Sequence, residues 1–170
     1  MSSTQYGTHV SSEFINLFNR EVRNRAYAKL AVDELIAAQD GGEVLAFWLA
    51  YQKLEEMNLR KYRPYACKYH LPIDPDWFIY LKEYSGRLCY KLMPVFSLKV
   101  MQSAAETYVT KLEKLESIAP AEDRVFFRYV VLQEQSQVVA LAHAMRQEYS
   151  VAAEILNKFM IKNKFNRITQ

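Results

Sequence analysis

Residues 11–42 read SSEFINLFNREVRNRAYAKLAVDELIAAQDGG, and their reading decides the fold. Phe14, Phe18, Val22, Ala26 and Leu30 recur at every fourth position, bracketed by polar Asn and Arg. That is the period of a helix with one apolar face. Ser11 or Ser12 can cap its start, and Glu13 falls in the first turn, where a carboxylate complements the exposed amides. The spacing predicts a helix to about Gln39. Asp40-Gly41-Gly42 predicts its end and a reversal of the chain, because glycine tolerates the backbone angles a reversal needs.

Working outward, Glu43 to about Tyr62 reads as a second helix. Val44, Leu45, Phe47, Trp48, Leu49 and Tyr51 make its first half apolar nearly all round, so that half is expected to be central. Pro64 disfavours helical geometry for Arg63, which predicts a stop there and a loop beyond. Asp74-Pro75 is a helix start, followed by Trp77, Phe78, Leu81, Leu88 and Leu92 at near-helical spacing. Pro94 has no glycine beside it, so a kink is expected, with the helix continuing from Val95 to about Glu116. A last long helix is expected from near Glu122, with a break near Tyr149-Ser150 before Val151 to Met160. The expected fold is all-α: an up-and-down four-helix bundle with a kinked third helix and a C-terminal helical extension. The expected organisation is a flexible tail over 1–10, one bundle domain over 11–165, and a basic end over 166–170.

Composition agrees. The 170 residues include only four Gly and five Pro, which favours a few long elements over many short strands. Hydrophobic residues at 51% and charged residues at 24% fit a domain with a real core and not a disordered chain. Two cysteines, Cys67 and Cys89, make no disulfide framework. No stretch reaches the length of a membrane span, and Met1 to Val10 lacks the apolar core of an export signal. A reducing, cytoplasmic compartment is expected.

The excess positive charge is confined to two islands. Residues 60–70 hold Arg60, Lys61, Tyr62, Arg63, Tyr65, Cys67, Lys68, Tyr69 and His70 without an acid. Residues 155–170 hold Lys158, Lys162, Lys164 and Arg167, again without an acid. The rest of the chain is net acidic, so a modest net charge of +3 conceals two focused patches. Arg60, Lys61, Arg63, Lys68 and His70 are candidates to meet an anion or an acidic surface, with Tyr62, Tyr65 and Tyr69 supplying contact area. The bland alternative is that cations at a helix end complement its dipole. Interleaved Tyr and Arg also suit nucleic acid, but no binding module is readable. The C-terminal island mixes Phe and Met with Lys and can suit a membrane surface or a partner groove, against the plain reading of a solvated end.

A second feature is the polar run Gln133-Glu134-Gln135-Ser136-Gln137 inside an apolar helix. Five consecutive helical positions cover every face. Either one points inward and needs a partner, in which case Glu134 is the residue to watch, or Glu134 lies on an exposed stripe and a Gln is satisfied internally.

A long helix pair joined by Asp-Gly-Gly, an aromatic second helix and a last helix with a central Glu resemble a ferritin-like four-helix bundle, over most of Phe14 to Phe159. Such proteins hold iron or manganese with one Glu from each of two helices and Glu-x-x-His from the other two. The resemblance implies Glu34, Glu55 or Glu56, Glu106 and Glu134 as the carboxylates. No Glu-x-x-His occurs in the chain: Glu55 and Glu56 are followed three residues on by Asn58 and Leu59, and Glu134 by Gln137. His143 lies nine positions beyond Glu134, on the opposite side of a helix. The resemblance therefore implies a metal-free relative.

Cys67 and His70, with Cys89, have ligand types for zinc but lack a defined fourth ligand, and Cys67 lacks an orienting partner for nucleophilic chemistry. No phosphate-binding glycine loop is present. The expected function is a small, non-catalytic binding or accessory protein that recognises an acidic protein partner or anionic ligand through the basic Tyr-rich segment, or a homo-oligomer, with no cofactor and no metal. The first alternative is an atypical carboxylate–metal oxidase or oxygenase using iron or manganese. The second is a binder of an apolar or aromatic molecule near Trp48, Tyr51 and Trp77.

Overall fold

A computed structural model describes residues 10–72 and 94–164, and over these the chain is an all-α bundle. Helix α1 spans Ser12–Ala37, with Ser11 accepting the Phe14 amide at 3.1 Å as its cap. Gly41 and Gly42 then turn the chain at φ of 143° and 74°, angles that favour glycine. Helix α2 spans Gly42–Lys68, α3 Pro94–Ser117, α4 Arg124–Met145 and α5 Tyr149–Lys164. A short 3-10 turn, Ala121–Asp123, leads into α4. The expected start at Asp74-Pro75 lies outside the described residues, as does any bend leading into Pro94.

Two boundaries differ from expectation. Helix α2 does not stop at Arg63 but continues through Pro64 to Lys68. Pro64 and Arg60 both lie on the exposed side, where water can satisfy the carbonyl that proline leaves without a donor. On the opposite side Tyr62 and Ala66 are fully buried, and Tyr65 stacks on Phe126 with centroids 3.8 Å apart. Packing thus outweighs the local preference. Helix α4 ends at Met145, slightly before the expected break, where Gln147 adopts φ of 62°.

Contacts fix the directions. Phe18 meets Tyr62 and Arg25 meets Glu55, so α1 and α2 are antiparallel. Tyr108 reaches Glu21, with Leu112 and Leu115 beside Phe14, so α3 opposes α1 and runs parallel to α2. Gln133 meets Asn58 and Gln137 meets Glu55, so α4 opposes α2. Phe47 meets Tyr149 at one end of α2 and Phe159 meets Tyr129 towards the other, so α5 runs with α2. Among the described helices α2 and α3 therefore run in the same direction, and residues 73–93 between them lie outside the described residues.

The core has two apolar halves. One gathers Phe14, Phe18, Tyr62, Phe126, Phe127 and Val130. The other gathers Val32, Phe47, Trp48, Leu54, Leu141 and Leu156. Along α1, α2 and α4 the residues between these halves are polar.

Candidate functional site

That polar layer is built around Arg25. Its residue is only 5% exposed, while Glu21 and Glu55 are fully buried and Glu134 is nearly so. The guanidinium donates to Glu55 Oε1 at 3.1 Å, Gln137 Oε1 at 3.1 Å, Gln133 Oε1 at 3.4 Å and Glu134 Oε2 at 2.9 Å. Its Nε faces Glu21 Oε1 at 3.1 Å as an ion pair without hydrogen-bond alignment. Carboxylates from α1, α2 and α4 therefore surround one cation.

The surrounding groups are bonded to one another as well. Tyr62 and Tyr108 donate to the two oxygens of Glu21 at 2.6 and 2.7 Å. Asn58 donates to Gln133 at 2.8 Å and accepts from Tyr129 at 2.6 Å. Gln137 donates to Glu55, and Gln133 donates to Glu134 at 3.1 Å. A buried polar group without a partner would cost several kcal/mol in the worst case, and this layer satisfies nearly all of its own.

Three carboxylates against one guanidinium leave an excess of buried negative charge. Burial pushes the Glu134 carboxyl up to about 7, with Arg25 opposing the shift. Burial also raises Glu55, again against Arg25. Burial alone would pull Arg25 down, but Glu55, Glu21 and Glu134 more than reverse it, so the guanidinium stays charged. Burial, then the Glu21 charge, raises the phenols of Tyr62 and Tyr108. The layer can hold a cation at its centre and a proton on Glu134 near neutral pH.

Of the carboxylates considered from sequence, Glu55 and Glu134 join this layer. Glu56 faces outward, Glu34 is half-buried outside it, and Glu106 is exposed and accepts from Gln102. Glu21 and Arg25 were not among them. The signal was present: Phe14, Phe18, Glu21, Arg25, Ala28, Val32 and Leu35 follow alternating steps of four and three, a buried helix seam with two charges in it.

A metal pair does not fit these residues while Arg25 is in place, because the carboxylates that would bind it are held by the guanidinium. Among the described residues no group of three or more His, Cys, Asp and Glu is arranged to hold a metal ion. His143 sits instead beside Glu148 at 2.6 Å. Cys67 and His70 are exposed at the end of α2, and Cys89 lies outside the described residues. Trp48 packs against Phe47 and Tyr51 in the core; Trp77 lies outside the described residues.

The basic segment of α2 is helical, not a loop, and its tyrosines point inward. Tyr62 is buried on Glu21, Tyr65 lies on Phe126, and Tyr69 packs edge-on against Phe14 and Phe18 while donating to Asp123. Lys68 pairs with Asp123 at 2.6 Å. Lys61 lies over the Tyr129 ring at 4.8 Å, and burial lowers its ammonium pKa. Arg60, Arg63 and His70 are exposed. The Tyr129 ring also meets Phe159 of α5, at a centroid distance of 5.7 Å. The two basic islands thus flank one tyrosine, with Lys162 and Lys164 exposed beyond Phe159 and Lys158 paired to Glu154.

Comparison with family models, with curated proteins and with solved structures finds no match to this chain. No helix among the described residues is long and apolar enough to cross a membrane.

Proposed function

We propose that the chain is a non-catalytic binding protein that meets an acidic protein segment at the end of the bundle where α2 and α5 converge. The observation that carries this is that Tyr129 touches both Lys61 and Phe159, which joins two islands separated by 84 residues of sequence. Arg60 and Arg63 lie one helical turn apart on one exposed stripe. Lys162 and Lys164 add charge from the neighbouring helix. Clustered cations of this kind steer an acidic partner and set the salt dependence of binding. Contact area has to come from the lysine and arginine stems, since Tyr62 and Tyr69 are engaged in the core.

The same proposal takes the bundle as a metal-free relative of the ferritin-like architecture. Its support is the packing of long helices in an all-α bundle, with α1 against α2 and α2 against α4. Glu55-x-x-Asn58 and Glu134-x-x-Gln137 face each other across that arrangement, with amides at the third position instead of imidazoles.

The test is fluorescence anisotropy with a labelled glutamate-rich peptide, at low and at physiological salt. The intact chain should bind in a salt-dependent manner, and the Arg60→Glu, Arg63→Glu, Lys162→Glu variant should lose binding while keeping its helical circular dichroism. Equal binding by both proteins would overturn the proposal.

A further inference from the structure

Helix α4 exposes five of its residues, and three of them are apolar: Val125, Leu132 and Val139, at 67%, 39% and 48% exposure. Single apolar side chains on a surface are ordinary, and Leu49, Val151 and Ile161 on other helices need no further account. The three on α4 differ in their spacing, seven residues apart each time. Seven residues make nearly two full turns, so the three form one line about 20 Å long on the outer face of the helix. Local preference does not explain them, because valine is a poor helix former at an exposed position. Nor does the core, which α4 already fills from its other side with Phe127, Val130 and Leu141.

The pattern and the charges point to a second copy of this chain as what covers the line. Val125, Leu132 and Val139 read the same in either direction about Leu132. A two-fold contact between identical chains needs that self-complementarity, since each copy presents the same surface. With two α4 helices antiparallel and Leu132 at the axis, Leu132 meets its own copy and each Val125 meets Val139 of the second copy. The remaining exposed residues of α4 are Arg124 and Arg128. Parallel pairing would set each arginine against itself, whereas antiparallel pairing sets Arg128 level with Ser136 of the second copy. Arg128 is already paired with Glu116 at 3.5 Å, and Arg146, just beyond the other end of α4, with Glu148 at 3.2 Å. These charges are balanced within the chain, so the face does not call for a charged partner.

We propose that the outer face of α4 is a homodimer interface, in which two copies pack antiparallel about Leu132 and bury Val125, Leu132 and Val139 against each other. An interface centred on one helix is small, so the dimer is reversible and depends on concentration. The proposal rests on α4 alone and is independent of what binds the basic end.

The experiment is sedimentation equilibrium of the full chain from about 10 µM to about 1 mM. The intact chain should pass from monomer to dimer. Leu132→Glu sets like charges together at the axis and should raise the dimer dissociation constant by about tenfold or more, with helical circular dichroism unchanged. Should Leu132→Glu not fold, Leu132→Ser is measured in its place, with a weakened dimer expected. Two double variants test the direction. Val125→Glu with Val139→Lys places opposite charges together in the antiparallel dimer and should still associate, whereas Val125→Glu with Val139→Glu should not. An intact chain that stays monomeric throughout, or that forms a larger assembly, overturns the proposal. So does a dimer that Leu132→Glu or Leu132→Ser leaves unweakened, or one that the two double variants affect alike.

Discussion

The Arg25 guanidinium meets the Glu134 carboxylate at 2.9 Å, joining positions 109 residues apart in sequence. Through this contact and those to Glu21 and Glu55, one side chain ties α1, α2 and α4 together between the two apolar halves of the core. A buried ion cluster of this kind adds little net stability over a well-packed apolar layer, but removing one partner leaves charge buried without compensation.

Arg25→Ala should therefore destabilise the fold by about 3–5 kcal/mol. Urea unfolding followed by circular dichroism measures it. Arg25→Lys should fall between the two, since it restores the charge but reaches fewer of the oxygens. A loss within about 0.5 kcal/mol for Arg25→Ala, as for an ordinary surface change, would show that the cluster does not hold the helices.

The Glu134 carboxyl gives the fold a pH dependence of known sign. Its pKa is higher in the fold, about 7, than its ordinary 4.5. The folded state therefore binds more protons in that window, and the contribution is full below 4.5 and is lost as pH rises through about 7. The size is on the order of 3 kcal/mol. Glu134→Gln should remove this slope, so the difference in unfolding free energy between the two proteins should change across the window and level off above it. Parallel profiles would contradict the assignment.

Backbone angles allow a prediction outside the charge layer. Gln147 holds φ of 62° just beyond α4, where the Glu148 amide bonds back to the His143 carbonyl at 3.1 Å. A side chain there is strained and glycine is not, so Gln147→Gly should stabilise by about 1 kcal/mol. Gly42 is the reverse case at φ of 74°: its surroundings are open, yet Gly42→Ala should lose about 1 kcal/mol from the backbone alone. Thermal unfolding of the two variants should move in opposite directions.

The aromatic half of the core sets the largest apolar effect. Phe127 is fully buried and meets Phe14, Phe18 and Phe126 with centroids 5.0–5.2 Å apart. Phe127→Ala should cost about 3–5 kcal/mol in urea unfolding. A smaller loss, near that of an exposed position, would contradict the packing.

The helices were legible because Phe14, Phe18 and Val22 keep the helical period and Asp40-Gly41-Gly42 interrupts it. Glu134 was legible only as one of two readings, inward with a partner or on an exposed stripe, since polar residues interrupt an apolar helix there. Its partner was not, because Arg25 looks like one more bracket of an amphipathic helix until the four-three stepping of the seam is followed through it. The same stepping passes through Trp48, Tyr51, Glu55, Asn58 and Tyr62 on α2, and through Phe127, Val130, Glu134, Gln137 and Leu141 on α4. Three seams carry charge or amide at matching heights, but matching them requires knowing which helices face one another. The end of α2 was misjudged for a related reason. Pro64 is a local signal, whereas Tyr65 on Phe126 is a contact across sixty residues of chain.

The most direct measurement of the central claim is the ¹⁵N-edited NMR spectrum of the Arg25 side chain. A guanidinium enclosed by Glu21, Glu55 and Glu134 should give resolved, slowly exchanging N–H signals that persist above neutral pH, vanish in Arg25→Lys and shift in Glu134→Gln. A guanidinium whose N–H signals exchange as fast as those of exposed Arg60 would contradict the buried Arg25 cluster outright.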